Sequence, residues 1–73
     1  GGEIMKAFDL QQIVRAGGSI KVSANDFSVF DLQQIAKVLV SNAKLCITDC
    51  NKISAFDLQQ IAKVRPGQVI FEF

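Results

Sequence analysis

Phe30-Asp31-Leu32-Gln33-Gln34-Ile35-Ala36-Lys37-Val38 returns without a change as Phe56-Asp57-Leu58-Gln59-Gln60-Ile61-Ala62-Lys63-Val64, and its first six residues also stand at Phe8–Ile13. The copies begin 22 and 26 residues apart, at Phe8, Phe30 and Phe56. Self-similarity at a near-constant period of this size marks a repeat architecture. Within each copy the apolar residues recur at helical spacing. Leu32, Ile35, Ala36 and Leu39 form one stripe, Leu58, Ile61 and Ala62 repeat it, and Leu10, Ile13 and Val14 begin it. Ser28 and Ser54 each stand three residues before an aspartate, Asp31 and Asp57, in a capping-box pattern; the first copy has Lys6 there instead. Gly17-Gly18, Ser41-Asn42 and Pro66-Gly67 mark the helix ends, with the middle helix expected to run about one turn longer through Val38-Leu39-Val40.

A short alternating run follows each helix: Ser19–Ser23, Leu45–Asp49 and Val69–Phe73. Strands separated by helices pair in parallel through a right-handed crossover. Parallel strands covered on both faces read as unbroken apolar runs, whereas these alternate, so all three helices are expected on one face with the other face open. The expected fold is α/β, a short right-handed βα solenoid with three helices on a three-stranded parallel sheet. Its units fall at about 1–23, 24–49 and 50–73 of a single domain.

Composition narrows the chemistry. The 73 residues allow one small domain, and Gly1-Gly2 reads as a cloning remnant. Eight Lys+Arg against seven Asp+Glu, interspersed, argue against a nucleic-acid or anionic-membrane surface. No apolar run is long enough to span a membrane, and no charged-then-apolar leader opens the sequence. The chain has no His, Tyr or Trp, which removes the commonest general base and the imidazole metal ligands. Cys46 and Cys50 lack a histidine to activate them and fall two ligands short of a structural zinc site. On one extended strand their Cα atoms would stand about 13 Å apart, too far for a disulfide. Free thiols favour a reducing, cytoplasmic setting. No catalytic, cofactor-binding or metal-binding residue is expected, and no enzymatic activity.

Leu45-Cys46-Ile47-Thr48-Asp49-Cys50-Asn51-Lys52-Ile53 resembles the core pattern of the leucine-rich-repeat superfamily, in its cysteine-containing variety. Cys50 falls where that family stacks Cys or Asn, and Ile20-Lys21-Val22-Ser23-Ala24-Asn25 is a looser match; the family's leading Leu is missing at Asn42. The resemblance implies a curved βα solenoid whose open strand face binds other proteins.

Three surfaces stand out. The glutamine pairs Gln11-Gln12, Gln33-Gln34 and Gln59-Gln60 face away from the apolar stripe, as solvated helix formers under no demand from the core. Such near-identical copies fit recent duplication, deliberate design or a slice of a longer array. Phe8, Phe30 and Phe56 precede the stripe by two positions, on its opposite side: either a distorted first turn tucks each ring under the sheet, the favoured expectation because an exposed aromatic ladder invites aggregation, or the three rings stack in the open. The open sheet face would carry Lys21, Ser23, Cys46 and Thr48, with Ile70 and Glu72 beside them. The run Val69-Ile70-Phe71-Glu72-Phe73 is an apolar edge strand guarded by one charge. Three repeats are near the minimum for a stable array, and a core of this size contributes little, so self-association is expected, by edge-strand pairing or a swapped repeat. The leading function is a non-catalytic, self-associating scaffold or protein-interaction module. The alternative is a thiol-dependent redox or catalytic protein using Cys46.

Overall fold

The computed structural model describes residues 5–73, so Gly1-Gly2 lies outside the described residues. Helices and strands alternate: α1 (Ala7–Arg15), β1 (Ile20–Ser23), α2 (Val29–Lys37), β2 (Leu45–Thr48), a short 3-10 turn (Cys50–Lys52), α3 (Ala55–Ala62) and β3 (Val69–Phe71). The strands form one open parallel sheet in the order β1-β2-β3. Ile20 lies beside Leu45 and Leu45 beside Val69, so corresponding residues of the repeats share a rung. The chain measures 31 × 29 × 18 Å, and the short dimension holds one layer of helices on one sheet.

The helix starts follow their caps. Ser28 Oγ accepts from the Asp31 amide and Ser54 Oγ from the Asp57 amide, both at 3.1 Å, while Lys6 makes no side-chain cap. The return bond of a full capping box is not among the hydrogen bonds of the described residues; an aspartate side chain is one methylene shorter than the glutamate that usually makes it. The helix ends use positive φ. Gly17, at φ +107°, sits in a Schellman closure in which Gly17 N–H donates to Val14 C=O and Gly18 N–H to Ile13 C=O. The other two helices lead into matching four-residue turns. In Val40-Ser41-Asn42-Ala43 the third residue has φ +71°, and in Arg65-Pro66-Gly67-Gln68 it has φ +81°. Glycine and asparagine tolerate that region at least cost.

Two expectations fail here. The middle helix is not longer: α1 and α2 each have nine residues and α3 eight. Val38 and Leu39 close it with tightened bonds to Ile35 C=O and Ala36 C=O, so the extra residues lengthen the loop, where Leu39 and Ala43 still reach the core. The rings of Phe8, Phe30 and Phe56 are not tucked under the sheet but are 66%, 65% and 66% exposed. Their first turns are regular, with Leu10, Leu32 and Leu58 amides bonded to the Lys6, Ser28 and Ser54 carbonyls. A regular helix turns about 200° between each Phe and the Leu two residues on. Once that Leu is committed to the core, the ring must point to solvent.

One core joins the layers. Leu10, Val14, Leu32, Ile35, Ala36 and Ile61 from the helices pack with Leu45 and Ile47 of β2 and with Cys50. Ile20 and Val22 of β1 and Val69 and Phe71 of β3 face the same way but are only half-buried. The interval between repeats is held by the two matching turns. Gln68 Nε2 donates to Val40 C=O at 2.8 Å and Ala43 C=O at 3.0 Å, and Lys44 Nζ donates back to Gly67 C=O at 2.8 Å. Arg65 adds a bond from its guanidinium to Lys37 C=O.

Candidate functional site: the open sheet face and its edges

The alternation of each strand turns Lys21, Ser23, Cys46, Thr48 and Ile70 to the uncovered face. Lys21, Cys46 and Ile70 form one rung. Glu72 lies just past β3 yet continues the ladder, its amide donating to Ile47 C=O at 2.8 Å. Its carboxylate reaches across the middle strand to Lys21 Nζ at 3.5 Å and accepts from Cys46 Sγ at 3.4 Å. Both charged side chains are largely exposed, so the ion pair contributes little to stability, about 0–1 kcal/mol.

The thiol beneath this pair is turned away from reactivity. Desolvation, then the hydrogen bond and charge of Glu72, push the Cys46 pKa up, and Lys21 opposes them only in part. Nucleophilic cysteines need the opposite shift. Cys50 is not on the strand with Cys46, contrary to the geometry assumed from sequence. The extended backbone ends at Thr48, Asp49 turns left-handed at φ +59°, and Cys50 is swung inward to 1% exposure. Its Sγ donates to Ile47 C=O at 3.2 Å, and burial raises its pKa. Both cysteines are free.

A second polar cluster closes the carboxyl end of the sheet, and sequence reading missed it. Ser23 Oγ donates to Asp49 Oδ2 at 2.6 Å and Thr48 Oγ1 donates to the same oxygen at 3.0 Å. These two bonds, Ser23 first, hold the Asp49 carboxyl below its ordinary pKa. The available signal was an aspartate directly after a strand, where a left-handed residue is tolerated. The cluster ties the first repeat to the second and presents no reacting pair. Among the described residues, no group of three or more Cys, Asp or Glu is placed to hold a metal ion.

The two edges of the sheet differ. On β3, Gln68 C=O and the Glu72 amide and carbonyl serve β2, which leaves the backbone groups of Val69 and Phe71 on the outer edge. Phe73 follows them at 71% exposure. On β1, the amides of Ile20 and Ala24 serve β2, which leaves the backbone groups of Lys21 and the Ser23 amide outward, while Ser23 C=O already accepts from the Asp26 amide at 3.1 Å. Beside that edge lies a cleft of about 230 Å³ whose apolar wall is Met5, Leu10, Val22 and Phe27. Of the five residues expected as an edge strand, three form β3, Glu72 extends its ladder, and Phe73 lies beyond it.

The helical layer presents a third surface. Phe30, Gln33, Gln34 and Lys37 share one outward stripe, and Phe8, Gln11, Gln12, Arg15 and Phe56, Gln59, Gln60, Lys63 repeat it. Among the described residues, no helix is long and apolar enough to cross a membrane. No family model matches the chain, and comparison with curated proteins and with solved structures finds no match for it either.

Proposed function

We propose that this chain is a non-catalytic βα repeat scaffold, a short solenoid of the leucine-rich-repeat type, that associates with further copies through its sheet edges and offers the open strand face to proteins. The observation that carries this reading is the contrast along each rung. Leu45 and Ile47 are 0% exposed, while their neighbours in register, Ile20 and Val22 on one side and Val69 and Phe71 on the other, stay half-buried for want of a next strand. Repeats gain burial only from neighbours, so both outer units gain from an added one. Cys50 supports the leucine-rich-repeat resemblance: its inward sulfur bonds the backbone of the preceding strand, the place that family gives to Cys or Asn. Asn25, the corresponding residue of the first unit, is exposed instead.

The alternative, a protein acting through Cys46, has its thiol shifted toward the unreactive form and, among the described residues, no base beside it except the Glu72 carboxylate that accepts its hydrogen bond. Free cysteines are compatible with a reducing compartment such as the cytoplasm, the setting we propose for the scaffold.

Sedimentation velocity over a wide concentration range tests the proposal. Association that grows with concentration, and that Phe73→Lys weakens, is the expected result. A monomer at every concentration, with Phe73→Lys leaving stability unchanged, would overturn it.

A further inference from the structure

Self-association can join the edges in three ways: β1 to β1, β3 to β3, or β3 of one copy to β1 of the next. Resting on the scaffold reading above, we infer that the third occurs: the strand Val69–Phe71 of one copy seats in parallel against Ile20–Ser23 of a second, continuing the array in its own register.

Four observations converge on the unlike pairing. First, the rungs already run Ile20–Leu45–Val69, and the next term of that series is Ile20 of a second copy. Second, hydrogen-bond parity agrees. In a parallel pair, the bonding residues of one strand stand in register with the non-bonding residues of the other. The outward groups of β3 belong to Val69 and Phe71, and those of β1 to Lys21 and the Ser23 amide, so the register of Val69 on Ile20 lets both sets meet. Third, the edges are complementary in shape. Phe71 would lie beside Val22 of the second copy and Phe73 beside its Ala24, which sets two unsatisfied rings on the cleft walled by Met5, Leu10 and Phe27. Pairing β3 with β3 leaves that cleft empty. Fourth, the charges are complementary. Lys21 of the second copy would stand one strand from Glu72 and diagonal to it, whereas the intrachain Lys21 reaches Glu72 across two strands. Pairing β1 with β1 sets Lys21 near Lys21.

A joint between unlike surfaces does not stop at two copies unless the rotation between them closes a ring. Each added copy presents a fresh β3 edge, so the product is an open row, with the Phe8, Phe30 and Phe56 ladder continued along its helical side.

Cross-linking the 73-residue chain distinguishes the three joints. Cys46→Ser is made first, and Ile70→Cys and Lys21→Cys are then introduced separately and together. Neighbouring strands lie about 4.8 Å apart, within disulfide reach, whereas Lys21 and Ile70 of one chain are two strands apart, at about 10 Å, and cannot be joined. Under mild oxidation, neither single variant is expected to form disulfide dimers alone. Their mixture gives dimers, and the double variant gives a ladder of multimers. Dimers from Ile70→Cys alone, or from Lys21→Cys alone, would replace this joint with a like-with-like one while leaving self-association intact. A wild-type chain that sediments as a monomer throughout would remove both readings together.

Charge exchange supplies an arm free of engineered thiols. Lys21→Glu and Glu72→Lys should each weaken association at low salt, with circular dichroism unchanged, and mixing the two variants should restore it. Failure of the mixture to restore association overturns the unlike pairing.

Discussion

Ile47 and Val22 sit on one rung, point to the same side and are both β-branched, yet Ile47 is fully buried and Val22 is not. Ile47 has a strand on each side, whereas Val22 has one on a single side. In a repeat array, burial belongs to the position between neighbours, and the residue type supplies only the capacity to use it. The middle unit is therefore the keystone and the outer units are lightly held. Substitutions can sharpen or break that contrast.

The largest effect is expected at the keystone. Ile47→Ala should cost about 2–5 kcal/mol, enough to unfold most of a domain this small, whereas Val22→Ala should cost well under half of that because its site is already half open. Urea denaturation of the two variants checks the contrast, and equal costs would break it. Next comes the clasp between turns. Gln68→Ala leaves Val40 C=O and Ala43 C=O without their side-chain donor and should cost about 1–2 kcal/mol, loosening the third unit before the second in hydrogen exchange. The helix starts come third. Ser28→Ala should destabilise by about 1 kcal/mol, and Lys6→Ser, at the start that lacks a side-chain cap, should stabilise by a fraction of that, both read from thermal midpoints.

The smallest expected effect depends on pH. The folded chain keeps Asp49 ionised to lower pH than the unfolded chain does, because Ser23 and Thr48 donate to it. Its contribution to stability is therefore complete above the ordinary carboxylate range and is lost as pH falls through the lowered folded value. Asp49→Asn keeps a residue that accepts the left-handed backbone and should flatten the acid side of the stability profile. An unchanged acid limb would show that the Ser23–Asp49 link between the first two units carries no weight.

Much of this fold was legible because the repeat restates its own rules. The stripe of Leu32, Ile35 and Ala36, the serine caps and the alternation of β2 each respond to local geometry, and local geometry is what periodicity records. The parallel order followed from helices placed between strands. What escaped depended on how segments terminate and meet. Val38-Leu39-Val40 continues an apolar pattern, but Leu39 could reach the core just as well from a turn, and no periodicity distinguishes the two. The phenylalanines were misread because hydrophobicity was set against helix phase, and phase prevailed. On the open face, the alternation of the strands pointed to Lys21, Ser23, Cys46, Thr48, Ile70 and Glu72. It gave no hint that Glu72 would bridge to Lys21 over Cys46, or that Asp49 would collect two hydroxyl donors. The Ser23–Asp49 and Lys21–Glu72 contacts join residues 26 and 51 positions apart in the chain, beyond the reach of any local pattern.

The inward sulfur of Cys50 has a practical corollary. In the native molecule an alkylating reagent meets the Cys46 sulfur and is shut out from the other, so a covalent tag on Cys50 records a moment when the middle unit came apart. The wild-type sequence thus carries its own stopwatch for opening, needing no engineered thiol, and it ticks at the unit that leans on neighbours from both sides.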